Sequence, residues 1–391
     1  NNDGLRMIAV AQKNDIPRDH EFSVEDESDM VLIGFVGFLD PPKESAKPTI
    51  ESLNKHGIDV VVITGDSLGV AKKVCSKVGI DTEVTYLGND IEEMSDDELQ
   101  AIVGTCHLFA KISPIQKQRI IQAFQANNHT VGFLGDGIND ALALKQADVG
   151  ISVDTAVDIA KESADIILLK KDLTVLEKGV MEGRKTIINM VKYLEMAVSG
   201  NFGNMFSVTI ASIFLPFLPL LPVHILVQNL LSDLAQTGIP FDNCEDEDLN
   251  LPRKLESKRL VNFMVVFGPL SSIFDVMCFV VLYFVFNVRT IEQQTLFQTF
   301  WFAFGILSQI FIIFVIRAKK PFSLKNRPST VLVLVSAASI ILTLAFVLTP
   351  LARTIELQVL EFAHIASVLG IVGLYIITTS IVKKFVWTPL D

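Results

Sequence analysis

Cysteine is scarce in this sequence: Cys75, Cys106, Cys244 and Cys278 are the only four in 391 residues, and they stand far apart. No two have zinc-site spacing, so free thiols in a reducing compartment are expected. Concentrated positive charge is also lacking. The net charge is −11 and no basic face stands out, which argues against a nucleic-acid partner. The chain begins Asn-Asn-Asp-Gly with no charged-then-apolar leader, so its start is expected to be internal to something longer. Long apolar runs are missing from residues 1 to about 186 and dominate from about 187 onward. The overall 50% of hydrophobic residues therefore averages two parts made for different solvents.

In the first part, five short apolar runs predict buried parallel strands: Met30–Leu39, Val60–Ile63, Thr130–Leu134, Val149–Val153 and Ile166–Leu169. Helices are predicted between them. Ser45–His56 stops at Gly57 and Leu68–Val78 stops at Gly79; Ser95 to Glu98 is a capping box, and Ser113-Pro114 opens another helix. Strand–helix alternation predicts an α/β fold, a doubly wound parallel sheet whose ligands bind beyond the C-terminal strand ends. Polar residues cluster there. Met30–Leu39 runs into Asp40-Pro41-Pro42-Lys43, Val60–Ile63 into Thr64-Gly65-Asp66, and Thr130–Leu134 into Gly135-Asp136-Gly137-Ile138-Asn139-Asp140. Gly65 and Gly135 let backbone approach a phosphoryl group, and Thr64 can donate to a phosphate oxygen. Asp136 offers the hard oxygen that Mg²⁺ prefers, and Lys117 can present a point charge to a phosphoryl in transfer.

The second part predicts a membrane domain. Crossing the hydrocarbon takes about 20 apolar residues as helix. Six stretches qualify, at about 190–214, 218–238, 262–286, 295–316, 330–350 and 364–385. Basic joints at Arg253–Arg259 and Arg317–Arg327, with Lys383-Lys384 after the last span, alternate with joints poor in Lys and Arg. Basic joints face the cytosol, which puts them, the soluble part and the C-terminus on one side. Polar residues inside spans mark function by default. Asn201 and Asn204 lie in the first span; Asn229, Ser232 and Asp233 lie in the second. They form a candidate all-oxygen cation site, with helix interruptions expected to add backbone carbonyls. Asp275 and Gln309 in later spans could each join the site or meet a neighbouring helix, with the neighbour favoured, and Glu195 is expected at the interface and not at the ion site.

Thr-Gly-Asp, then Pro-x-x-Lys, then Gly-Asp-Gly-Ile-Asn-Asp, after an Asp-Pro-Pro hinge, resembles the phosphorylation domain of P-type ATPases, a branch of the haloacid dehalogenase superfamily. The resemblance implies that Asp136 binds a catalytic Mg²⁺ with support from Asn139 and Asp140. Lys117 and Thr64 would hold the phosphoryl group, with Gly65 giving it room and Asp66 shaping the loop. Asp40 would lie at the joint to the nucleotide domain and, with Lys117, border the ATP. Residues 1–29 would be the tail of that nucleotide domain and a linker, with Leu5–Ala11 as a strand; residues 30–186 would be the remainder of the phosphorylation domain, and residues 187–391 the six-helix transmembrane bundle. Asn201-x-Gly203 and Asn229-x-x-Ser232-Asp233 resemble the fifth and sixth helices of cation pumps. Calcium pumps usually carry glutamate where Asn204 stands. Leu226–Asp233, Ile239–Asn243 and the Pro-rich joint at 214–222 resemble the bacterial magnesium-transporting type.

The expected function is therefore ATP-driven Mg²⁺ movement into the cytosol across a bacterial inner membrane, transmitted from the phosphorylation domain through residues 172–192. The Asp-Lys-Thr-Gly stretch that carries the family's phosphorylated aspartate is not in this sequence. Such chemistry needs that carboxylate. The chain is thus expected to act with a missing N-terminal half of the pump and to be inactive alone. Two alternatives stay open: a pump for calcium or protons, and a non-catalytic relic.

Overall fold

β-Branched and aromatic residues make both strands nearest the start, yet those strands pair with each other instead of joining the parallel array. In a computed structural model that describes residues 6–13, 23–38, 41–250, 252, 255–318 and 326–386, β1 (Arg6–Gln12) and β2 (Val31–Phe38) form a two-stranded antiparallel sheet. This corrects the expectation that Met30–Leu39 is a buried parallel strand. Ile33 and Phe35 are 64% and 61% exposed, so the apolar run reflects strand propensity without burial in this chain. Asp40 and residues 14–22 of the expected linker lie outside the described residues.

The chain divides into two compact units, Asn1–Val180 and Met181–Asp391. In the first, β3 (Val62–Ile63), β4 (Thr85–Leu87) and β5 (Leu108–Ala110) form a parallel sheet of order β3-β5-β4. β6 (Gly132–Leu134), β7 (Val149–Val153) and β8 (Ile166–Leu168) form a second, in the order β6-β7-β8. The expected single sheet is therefore two three-stranded ladders, because β3 pairs only with β5 and β6 only with β7 among the described residues. β4 and β5 escaped the sequence reading. Three residues are too few to show a period, although all of β5 is buried.

Seven helices pack around these strands: α1 (Ala46–Lys55), α2 (Leu68–Val78), α3 (Gly88–Glu93), α4 (Asp96–Val103), α5 (Pro114–Ala126), α6 (Ala141–Gln146) and α7 (Asp158–Ser163). Their ends follow local chemistry. α2 stops at Gly79, whose φ of 80° belongs to the left-handed region that glycine reaches without strain. Ser95 and Glu98 exchange hydrogen bonds at the start of α4, as Ser113 and Gln116 do at the start of α5, where Pro114 is the first helical residue. Cys75 and Cys106 are free and buried, and burial pushes both thiols up from their ordinary pKa.

α8 (Leu173–Phe214) is one unbroken helix of 42 residues, about 63 Å long at 1.5 Å per residue. α9 (Pro222–Gln236), α10 (Asp246–Leu249), α11 (Ser257–Phe284), α12 (Gln294–Ile316), α13 (Thr330–Leu348) and α14 (Phe362–Val386) follow. Four of them, α11 to α14, are long and apolar enough to cross a membrane. α9 has only 15 residues, about 22 Å, less than a typical hydrocarbon core of about 30 Å. α12 is the central helix of this unit, buried along most of its length, and its aromatic residues form the middle of the apolar cluster.

Two of the expected topogenic charges turn out to be internal. Arg317 is 6% exposed and grips the fully buried Asp242 through two hydrogen bonds of 2.8 and 3.0 Å. Lys383 donates to the last two carbonyls of α12, Val315 (2.7 Å) and Ile316 (3.2 Å), and to that of Ala318 just beyond it. Such a cation satisfies acceptors that a helix C-terminus leaves unpaired.

Candidate functional site

The first site is a rim at the ends of β3 and β6. After β3, the Thr64-Gly65-Asp66 backbone is clamped by the segment that follows β5. Thr64 N donates to Phe109 O (2.9 Å), Ile112 N to Thr64 O (3.0 Å) and Lys111 N to Asp66 O (3.0 Å). Thr64 Oγ1 accepts from Asp66 N at 3.1 Å, which leaves the hydroxyl proton available to a ligand. The same clamping segment ends at Ser113, the cap of α5, and α5 carries Lys117.

Lys117 Nζ meets Asp140 Oδ1 at 2.6 Å, with both side chains nearly buried. The other oxygen of Asp140 accepts from the backbone N–H groups of Asp136 (3.2 Å) and Gly137 (3.1 Å). Asp140 thus folds the loop after β6 onto itself and ties it to α5. Gly135 is required by that fold: a Cβ there would stand 2.6 Å from Asp140 Cβ. Ser152 on β7 donates to Gly135 O at 2.9 Å and fixes the loop from beneath. Asn139 lies exposed on a short 3-10 turn, Ile138–Asp140.

Asp136 is half-exposed, and its Oδ2 pairs with Lys171 Nζ at 2.5 Å. Lys171 was not singled out from the sequence; its place just past the end of β8 was the available signal. It also ties in the segment after Asp40, because Lys43 Nζ donates to Lys171 O. Ser45 Oγ donates to Asp172 Oδ1 at 3.2 Å. Asp172 in turn accepts from Thr174 N at 2.9 Å, and that backbone hydrogen bond holds its carboxyl below the usual range. Among the described residues no three His, Cys, Asp or Glu side chains converge as a metal cage. The half-exposed carboxylate of Asp136 nevertheless fits Mg²⁺, which keeps much of its water and takes one or two protein carboxylates.

The second site is a cavity of about 260 Å³ within the second unit, walled by α8, α9, α11 and α12, with Tyr375 of α14. All five residues expected to bind a transported ion line it: Asn201, Asn204, Asn229, Ser232 and Asp233. Asp233, Asn201 and Asn229 are exposed, whereas Ser232 is buried and donates to Gln309 Oε1. The expected helix interruptions are not there: α8 is helical through Ser199–Asn204 and α9 through Asn229–Asp233. Their carbonyls stay in the helical ladders, so side-chain oxygens make up the polar wall. Gly203 allows the close crossing of α8 and α11: a Cβ there would collide with Ser271 Oγ and lie 3.1 Å from Gly268 O.

Asp275 and Gln309, for which the sequence favours a neighbouring helix over the site, meet neighbouring helices and also line the cavity. Asp275 accepts from Ser207 Oγ (2.6 Å) and Trp301 Nε1 (2.7 Å), while Gln309 accepts from Ser232. Glu195 is buried and is not among the residues that line the cavity; Arg259 at the start of α11 reaches its Oε1 at 2.6 Å.

Residues 8–148 match the family model for haloacid dehalogenase-like hydrolases, and residues 217–385 match the model described as the C-terminus of cation-transporting ATPases. The Escherichia coli K12 protein named magnesium-transporting ATPase, P-type 1, is 48% identical over 98% of this chain and 43% of its own length. Along nearly its whole length the chain is similar to P-type cation-transporting ATPases. A Salmonella typhimurium protein of the same name is 47% identical over the same shares, and a Bacillus subtilis calcium-transporting ATPase is 30% identical over 88% of this chain and 40% of its own. The chain spans less than half the length of the curated relatives it matches. It is a membrane protein: the match to the cation-transporting C-terminus covers α11 to α14.

Proposed function

We propose that this chain is the phosphate-handling and ion-translocating portion of an ATP-driven magnesium pump that imports Mg²⁺ across a bacterial plasma membrane. The observation that carries the reading is the polar cavity, which amides from α8 and α9 line together with the carboxylate of Asp233. Mg²⁺ dehydrates reluctantly, so a few amides and acids around a partly hydrated ion suit it better than a dry cage. The identity to proteins named for magnesium transport exceeds the identity to those named for calcium, which supports the same choice.

In this reading the second half of α8 and the short α9 join α11 to α14 as six spans, with the first unit and the C-terminus in the cytosol. At the rim, Thr64 and Lys117 orient the phosphoryl group of ATP or of an aspartyl phosphate supplied by sequence outside this chain. Asp136 would hold a Mg²⁺ ion, with Asn139 and Asp140 supporting its loop; that ion supplies positive charge to the phosphoryl oxygens. Asp40, at the joint to the nucleotide domain, and Lys117 border the nucleotide. Lys117 also keeps Asp140 in place, so the loop is shaped before substrate arrives.

The test is uptake and phosphorylation in a full-length pump carrying this sequence. Asp233→Asn is expected to abolish Mg²⁺ uptake while the protein stays folded and in the membrane; normal uptake would remove Asp233 from the ion path. Asp136→Ala is expected to prevent formation of the phosphorylated intermediate from ATP. Undiminished phosphorylation would refute the role of the rim.

A further inference from the structure

Asp275 sits on α11, and both of its oxygens are already engaged. Oδ2 accepts from Ser207 on α8 at 2.6 Å and Oδ1 accepts from Trp301 on α12 at 2.7 Å. Ser207 and Trp301 are neutral donors, so neither supplies a charge to an ionised Asp275. The residue is 5% exposed, and a buried ionised group needs a compensating charge. No Lys, Arg or His side chain stands among the residues that line the cavity. The buried cations of this unit are committed elsewhere: Lys192 and Arg317 face Asp242, Arg259 faces Glu195, and Lys383 faces the end of α12. Asp275 lines the same cavity as Asp233, so two acids face one polar space of about 260 Å³, room for an ion with several waters.

We propose that Asp275 is a second acidic residue of the ion site, fixed in place by Ser207 and Trp301, and that the pair Asp233–Asp275 matches the cavity to a divalent rather than a monovalent cation. The inference rests on the reading of this cavity as the ion's site. The charges balance one to one: two carboxylates and one M²⁺ leave no net charge, whereas one M⁺ would leave a buried anion uncompensated. The Ser207–Asp275–Trp301 clasp joins three helices, so it sets where the second charge stands as well as its presence. Each Asp275 oxygen keeps a lone pair beyond the one in use, which a water of a partly hydrated ion can fill.

The experiment is uptake from the opposite side into vesicles by a full-length pump carrying this sequence, at fixed MgATP on the side of the soluble unit. Half-saturating concentrations are read for Mg²⁺, and competition is read against Na⁺ and K⁺. Asp275→Asn keeps the shape and can still meet both Ser207 and Trp301. It is expected to raise half-saturation for Mg²⁺ about tenfold or more, as loss of one member of a close charge set does, and to sharpen inhibition by monovalent ions. Asp275→Glu keeps the charge and is expected to recover part of that affinity. Half-saturation within about twofold of wild type in Asp275→Asn would reduce Asp275 to a helix tie and overturn the proposal. So would a Glu variant no better than Asn, because shape and not charge would then decide. If Asp275→Asn does not accumulate in the membrane, Trp301→Phe carries the test: it removes one of the two donors that place the charge, its half-saturation for Mg²⁺ is expected to rise, and an unmoved value overturns the proposal. Full uptake by Asp233→Asn is the separate result that would discard the cavity itself.

Discussion

Asp242 shows how much one side chain can organise. It is fully buried at the end of the α9 joint and accepts two hydrogen bonds from Arg317 and one from Ser329 N at 3.1 Å. Lys192 of α8 stands 3.6 Å away. Removing one member of such a buried pair leaves a charge without its partner and costs about 3–5 kcal/mol. Asp242→Ala is therefore expected to lower the thermal midpoint and the yield of folded protein in detergent. A midpoint within error of wild type would show that water replaces the contact. The sequence marked Asp242 only as part of the Ile239–Asn243 stretch and gave it no role, because that role depends on an arginine 75 positions later. Gly135 is the opposite case. The Gly-Asp-Gly-x-Asn-Asp run marked it, and the close approach of Asp140 Cβ gives the reason. Gly135→Ala is expected to loosen the Lys117–Asp140 contact and to slow phosphorylation, with little change in the melting of the membrane unit.

The helix starts of the first unit were legible because caps are local. Ser113 with Gln116, and Ser95 with Glu98, satisfy free N–H groups using residues three positions apart. Ser113→Ala is expected to destabilise the first unit by about 1 kcal/mol, read as a lower midpoint in its unfolding transition. Asp172 caps α8 in a related way, and its carboxyl is held below the ordinary range by Thr174 N–H. A depressed carboxyl stabilises the fold above the unfolded pKa, and that stabilisation is lost as pH falls through the lower folded value. Amide exchange at Thr174 is thus expected to accelerate at acid pH, below the usual carboxylate range, and Asp172→Ala should make it fast at neutral pH too. Exchange at Thr174 that is flat across that range would rule out the cap. β4 and β5 were illegible for the opposite reason: three-residue strands acquire identity only when placed between neighbours.

At the scale of the whole chain, the transition from mixed to apolar sequence near residue 187 reported two kinds of unit, and the structure parts them between Val180 and Met181. The count of spans was less legible. A hydropathy run shows how many residues could lie in lipid, but α8 continues far outside its apolar part and α9 stops after 15 residues. The proposed pump predicts that a full-length protein with this chain hydrolyses ATP fastest, across a panel of transported divalent ions, when Mg²⁺ is the ion on the far side. A maximum with Ca²⁺ would assign the cavity to calcium.

Chemistry readable along the chain, such as glycine next to aspartate after a strand, serine ahead of a helix, or twenty apolar residues in a row, needs only near neighbours, and linear order reveals it. The meeting of Asp136 with Lys171, of Asp275 with Ser207 and Trp301, and of five polar residues from two helices around one cavity needs the folded chain. Those contacts join positions up to 68 residues apart, and only packing decides which distant side chains become neighbours.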